Sequence, residues 1–208
     1  MVMSLDKVTF FDRWASSYDC WVPSVFYQAV HQRLLTTVTL PAQAQVLELG
    51  CGTGKLLQRL AAAYPDCRGM GLDFSPRMVA MAQTRNRYGD RLSFRQGSVD
   101  QIPAAPHSYD GIFCSISFLH YPDPVAVLAE VRRVLKPTGQ FYLADYRPPP
   151  WQPEDTTARP ITPGGVRFYN AEARERLAAA AGLRCDRHVY LLGPVLGTVF
   201  SPWVSPES

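Results

Sequence analysis

The sequence predicts an α/β fold: a doubly wound, mostly parallel sheet with helices on both faces. Three observations carry this. Short apolar runs alternate with amphipathic runs of helical period from about residue 24 to 146. One of the runs, 111–116, is continuously apolar, as a central strand buried on both faces must be. A glycine-rich turn, Glu48-Leu49-Gly50-Cys51-Gly52-Thr53-Gly54, stands between the first such strand and the helix after it.

Taken in order, residues 24–38 have helical periodicity with Ser24 placed to cap, and a polar break at Pro41 follows. Residues 45–49 form the first strand, and 55–64, rich in Leu and Ala, a helix stopped near Pro65. Residues 67–72 are a strand, and Ser75-Pro76 opens a helix to about Arg85 as cap and first-turn proline. Strand 92–96, strand 111–116, helix 124–135 and strand 140–145 complete the alternation, the turn before the last being Lys136-Pro137-Thr138-Gly139. Residues 147–165 hold six prolines and two glycines and are expected to be a long loop. Asn170 then caps a helix over 171–181 with Gly182 past its end, and 189–192 and 198–200 are candidate closing strands. The chain is expected to be one domain over 1–208. Its parts are a helical N-terminal cover (1–40), a ligand-binding core (41–146), a proline-rich lid or acceptor loop (147–170) and a C-terminal helix with closing strands (171–208).

Composition narrows the classes. The 208 residues are 47% apolar and 19% charged with a net charge of +3, an ordinary globular balance without the basic stripe of a nucleic-acid binder. No secretory leader or membrane-length apolar run is visible, so a cytoplasmic location is expected. The five cysteines are scattered with no CxxC pair, which argues against a disulfide framework; no metal is expected. The oligomeric state is open.

The phase of the glycines discriminates among nucleotide sites. A phosphate loop needs GxxxxGK[ST], but Leu56 follows Gly54-Lys55 and Leu49 stands where its first glycine would be. A dinucleotide fingerprint needs GxGxxG, and the third position in phase is Lys55. What remains is E-x-G-x-G-x-G, with Asp73 ending the second strand about twenty residues past the turn, where a carboxylate can accept from ribose hydroxyls.

These segments carry a family resemblance. Val46-Leu47-Glu48-Leu49-Gly50-Cys51-Gly52-Thr53-Gly54 followed by Gly71-Leu72-Asp73-Phe74-Ser75-Pro76-Arg77-Met78 resembles the class I S-adenosylmethionine-dependent methyltransferases. The likeness is strongest to the small-molecule branch that includes the ubiquinone/menaquinone biosynthesis enzymes. Phe11-Asp12-Arg13-Trp14-Ala15-Ser16-Ser17-Tyr18-Asp19 is similar to that branch's N-terminal cover. Ser117-Phe118-Leu119-His120-Tyr121 is similar to its exit from strand four, and the segment from Glu130 to Gln140 to its helix-turn-strand unit. The likeness runs through residues 10–146.

The resemblance implies a Rossmann-like seven-stranded sheet of order 3-2-1-4-5-7-6 and S-adenosyl-L-methionine as cofactor. It implies that Glu48, Gly50, Cys51 and Gly52 form the turn beside the methionine and ribose, and that Asp73 holds the ribose. Phe74 and Met78 would pack at the adenine, Ser115 would lie near the methionine end, and Tyr18 would close over the cofactor. Gly97-Ser98-Val99 stands in place of the family's usual Gly-Asp-Ala, so Ser98 is a departure: a hydroxyl accepts the adenine amino group without charge assistance.

In-line methyl transfer draws mainly on proximity and orientation. A base is needed only where the acceptor must lose a proton. His120, after the central strand, is the first candidate; His107, Tyr18, Tyr169 and Asp145 are others. Trp14, Trp21, Trp151, Phe168 and Tyr169, in the variable parts, point to a small apolar or aromatic acceptor. The alternative is a catalytically silent module that binds the cofactor in a regulatory or interaction role.

Overall fold

The computed structural model describes Thr9 and residues 21–149, 151, 156–159 and 165–203. Five helices lie among these: α1 (Trp21–Leu35), α2 (Lys55–Ala63), α3 (Pro76–Thr84), α4 (Pro124–Val134) and α5 (Ala171–Ala180). The strands are β1 (Gln45–Leu49), β2 (Arg68–Asp73), β3 (Leu92–Gln96), β4 (Tyr109–Ser115), β5 (Leu135–Tyr146), β6 (Thr156–Arg159), β7 (Val166–Phe168), β8 (Leu183–Leu192) and β9 (Val195–Pro202).

Seven strands form the main sheet in the order β3-β2-β1-β4-β5-β9-β8. Strands β1 to β5 pair in parallel, while β9 runs antiparallel to both β5 and β8. Counted within this sheet, the order is the expected 3-2-1-4-5-7-6. Along the whole chain the last two strands are the eighth and ninth, because β6 and β7 form a separate antiparallel hairpin. That hairpin corrects the expectation of an unbroken loop over 147–165: Thr156–Arg159 is a proline-free stretch with two β-branched residues, and it finds a partner in Val166–Phe168.

Alternation along the strands supplies two cores. Val46, Phe113, Tyr142 and Val199 point to the face covered by α1, α2 and α3. Leu47, Ile112, Leu143 and Phe200 point to the face covered by α4 and α5. Each strand residue thus faces opposite its neighbour, as the pleat requires. Two expectations on element bounds are corrected. The Lys136-Pro137-Thr138-Gly139 turn lies within β5: Tyr109 pairs with Leu135 and Gly111 with Gln140, so the intervening residues bulge outward. The closing strands are far longer than 189–192 and 198–200, since exposed polar positions on β8 hid its alternation. Among the described residues, no helix is long and apolar enough to cross a membrane.

The caps follow local chemistry. Ser75 Oγ accepts from Met78 N, Asp123 Oδ1 from Ala126 N and Asn170 Oδ1 from Ala173 N, each at the start of a helix. Helix α2 has no such cap, because its N-cap is Gly54. Its compensation comes from the strand before it.

Candidate cofactor site

The glycine-rich turn links β1 to α2, and all three of its glycines have positive φ: 64° at Gly50, 50° at Gly52 and 76° at Gly54. Two buried carboxylates hold it from behind. Glu48, 4% exposed, accepts from Leu57 N at 3.0 Å and so supplies the first turn of α2 with the acceptor Gly54 lacks. Burial pushes the Glu48 carboxyl well above the usual carboxylate range, partly opposed by that N–H bond. Asp73, 5% exposed at the end of β2, accepts from Gly52 N at 2.8 Å and from Ser75 N at 3.0 Å. One carboxylate therefore joins the glycine turn to the cap of α3. A carboxylate accepts about four hydrogen bonds, so the same group can also receive ribose hydroxyls.

In front of the turn lies a cavity, at the carboxyl ends of the parallel strands where open α/β sheets bind ligands. Five of the predicted residues line it: Gly50, Phe74, Gly97, Ser98 and Val99. Four polar lining residues that sequence reasoning did not single out are Asp100, Ser117, Tyr121 and Asp123. Asp100 stands two positions beyond Ser98, and that displaced acid was the signal available. Ser117 and Tyr121 lay inside the motif read after strand four, where only His120 was chosen. Bare Gly50 makes room: a Cβ there would sit 1.9 Å from Ser117 Oγ and 2.7 Å from Ser117 Cβ.

Ser117 and Tyr121 reach the cavity through a strained exit from β4. Ile116 has φ 50°, a rare conformation for a β-branched residue, while its N–H bonds Ala144 O at 2.8 Å. The chain leaves the sheet there and turns through the short 3₁₀ helix Phe118–His120. Tyr121 Oη then meets Ser117 Oγ at 2.9 Å and Cys114 Sγ at 3.6 Å. Burial holds the Tyr121 phenol well above its usual range, so it serves as a hydroxyl.

The other predicted residues fall in different places. Met78 is core, 2% exposed, with its N–H on the Ser75 cap, and it does not line the cavity. Cys51 packs in the core beneath Gly71; burial, with Asp73 and Glu48 nearby, pushes its thiol well above the usual range, which rules out a ready thiolate. Ser115 Oγ is buried at the end of β4 with no hydrogen-bond partner among the described residues. His120 is half-buried on the 3₁₀ turn, beside the cavity-lining Tyr121. His107 is exposed and precedes β4, with Nδ1 3.1 Å from Leu135 O, so it sits at the end of the sheet away from the cavity. Tyr18 and Trp14 lie outside the described residues.

Beyond the 3₁₀ turn, the end of β5 carries Asp145, 2% exposed, accepting from Leu119 N at 2.9 Å and Tyr146 N at 2.7 Å. Burial pushes its carboxyl up to about 6, with Arg174 pulling in the opposite direction. The next residue, Tyr146, joins an aromatic cluster: Phe26 stacks on it at 6.2 Å and Phe168 meets it edge-on at 6.4 Å. Tyr169 meets Phe118 edge-on at 5.5 Å, whereas Trp151 is 82% exposed.

A family model described as a methyltransferase domain matches residues 46–139, from the first residues of the glycine-turn strand through the bulge of β5. Residues 46–139 thus form a methyltransferase domain, similar to those of the class I S-adenosylmethionine-dependent enzymes. It is 32% identical over 155 residues to a demethylmenaquinone methyltransferase of Deinococcus radiodurans, covering 73% of this chain and 60% of that protein. It is 30% identical over 143 residues to a 2-phytyl-1,4-naphtoquinone methyltransferase of Thermosynechococcus vestitus, covering 67% and 64%. The chain thus spans less than two thirds of the length of these relatives. In fold it is similar to a SAM-dependent methyltransferase from Aquifex aeolicus, with a TM-score of 0.72 at 21% identity over 93% of this chain and 98% of that one. The cofactor of the family is S-adenosyl-L-methionine. The turn, the buried Asp73 and the bare face of Gly50 are compatible with it.

Proposed function

We propose that this chain methylates a small apolar or aromatic acceptor, and that the cavity in front of Gly50 takes the adenosine end of the cofactor. The observation that carries this reading is the convergence on one cavity of Gly50 and of Phe74, Gly97, Ser98 and Val99, from the ends of β1, β2 and β3. When bound, S-adenosylmethionine supplies an electrophilic methyl group on its sulfonium.

The residues then divide the work. Asp73 orders the glycine turn and accepts from the ribose. Phe74 and Val99 offer apolar faces to the purine, and Ser98 and Asp100 offer oxygen acceptors for its amino group. Tyr121 and Ser117 form a hydroxyl pair that shapes the wall between this end and the 3₁₀ turn. The cluster of Phe26, Tyr146 and Phe168 beyond the 3₁₀ turn is assigned to the acceptor side, where aromatic faces favour orientation of a flat apolar molecule. Where the acceptor carries a proton, the His120 imidazole, on the 3₁₀ turn beside Tyr121, takes it. The relatives are named for quinones, and such a cluster suits a quinone-sized ring.

The test is turnover. The full chain is incubated with S-adenosylmethionine and a panel of reduced quinones, phenols and amines, and S-adenosylhomocysteine release is measured. Acceptor-dependent release is expected with aromatic members. Tight cofactor binding without release for any member would instead support a silent binding module.

A further inference from the structure

Helix α5 and strand β8 bring Glu175, Cys185 and His188 together on the side of the fold away from β1–β3. One donor atom from each lies within 4.8 Å of the others. His188 Nε2 is 2.9 Å from Glu175 Oε1 and 3.5 Å from Cys185 Sγ. Residues three apart on a regular strand face opposite sides. Here the register slips between Cys185, opposite Phe200, and Arg187, opposite Val199, and this bulge turns Cys185 and His188 to one face.

We propose that Glu175, Cys185 and His188 form a binding site for a thiophilic divalent cation of the zinc class, with water as the fourth ligand. Thiolate, imidazole and carboxylate together select such an ion over magnesium or calcium, which take oxygen ligands. The spacing supports it. Two ligands on a tetrahedral ion, at bond lengths of about 2.0–2.3 Å, stand about 3.5 Å apart. The sulfur–nitrogen pair is already at 3.5 Å, and the exposed Glu175, on a helix surface, needs to retreat only a few tenths of an ångström. An ion pair between His188 and Glu175 accounts for those two side chains but not for a sulfur converging on the same nitrogen.

The other ring nitrogen is also held: His188 Nδ1 lies 3.0 Å from Thr198 Oγ1, which accepts from Arg174 Nη1 at 3.1 Å. A second partner of this kind orients a ligating histidine. Coordination releases the Cys185 proton to solvent, so affinity rises with pH. Two of the ligands depend on a bulge and the third on a helix ten residues upstream, which is why the absence of a CxxC pair did not reveal the set.

The experiment is a titration of tag-free, chelator-treated full chain with Co²⁺, followed by absorption, with Zn²⁺ as competitor. One equivalent is expected to give a thiolate-to-cobalt charge-transfer band and four-coordinate d–d bands, both removed by Zn²⁺. Cys185→Ser should lose the charge-transfer band. Glu175→Gln, a change on an exposed helix position that leaves the fold intact, should weaken binding about 10–100-fold. No saturable band, a band that survives Cys185→Ser, or wild-type affinity in Glu175→Gln would overturn the proposal. Far-ultraviolet circular dichroism shows that each variant is folded.

Discussion

Gly50→Ala tests the reason for the glycine turn. Alanine at φ 64° costs about 1–2 kcal/mol from the left-handed backbone alone. The new Cβ also falls 1.9 Å from Ser117 Oγ and 2.7 Å from Ser117 Cβ. The Oγ can rotate away, losing its 2.9 Å bond to Tyr121 Oη, worth about 1 kcal/mol. The Cβ cannot rotate, so the turn itself must shift. The sum is at least about 2–3 kcal/mol, and urea denaturation should show that loss. Because the shift moves the turn into the cavity, S-adenosylhomocysteine affinity should fall by about 30-fold or more, the equivalent of about 2 kcal/mol. Adding Ser117→Gly removes both close contacts and should recover the steric part while leaving the backbone part. Unchanged stability and affinity in Gly50→Ala, or no recovery in the double variant, would refute this reasoning.

Three further outcomes are expected. Burial, with Arg59 and Lys55 nearby, lowers the His31 imidazole to about 3, so the unfolded chain binds a proton that the folded chain refuses and stability falls as pH drops from about 6.5 toward 3. Between pH 7 and 5 this group costs about 2 kcal/mol, and His31→Asn, which keeps an acceptor for Arg59 Nη1, should lose that much less in denaturant titrations at the two pH values. Arg174, 2% exposed, donates to the carbonyls of Tyr169, Leu196 and Asp145; Arg174→Met should cost about 3–5 kcal/mol in unfolding experiments, and a loss below about 1 kcal/mol would show that these carbonyls find other partners. If Asp100 takes over from the absent acid at position 98, Asp100→Ala should weaken adenosine-containing ligands more than Ser98→Ala does, as measured by calorimetry; the reverse order would assign the amino group to Ser98.

What was legible in the sequence was local. The strands at 45–49 and 92–96 and the caps at Ser75 and Asn170 follow from residues within a few positions of one another, and the structure has them where the pattern put them. The glycine turn was legible because its phase excludes other nucleotide loops before any fold is known. The bulge in β5 was not, since Lys136-Pro137-Thr138-Gly139 has turn chemistry and only pairing with β4 keeps it in a strand. Met78, five residues past Asp73 in the sequence, lies on α3 with its side chain in the core, a placement that only the packing of the helix on the sheet decides. Asp100, Ser117 and Tyr121 reach the cavity through the tertiary path of two loops, one of them strained at Ile116, and no periodicity reports that path.

The central claim is that Asp73 and the glycine turn hold S-adenosylmethionine, and calorimetric titration of S-adenosylhomocysteine into wild type and Asp73→Ala measures it directly. The account predicts one saturable site with micromolar affinity, lost or weakened at least about 100-fold, or about 2.7 kcal/mol, in the variant. No heat up to about millimolar ligand in wild type, or equal affinity in the two proteins, would contradict it.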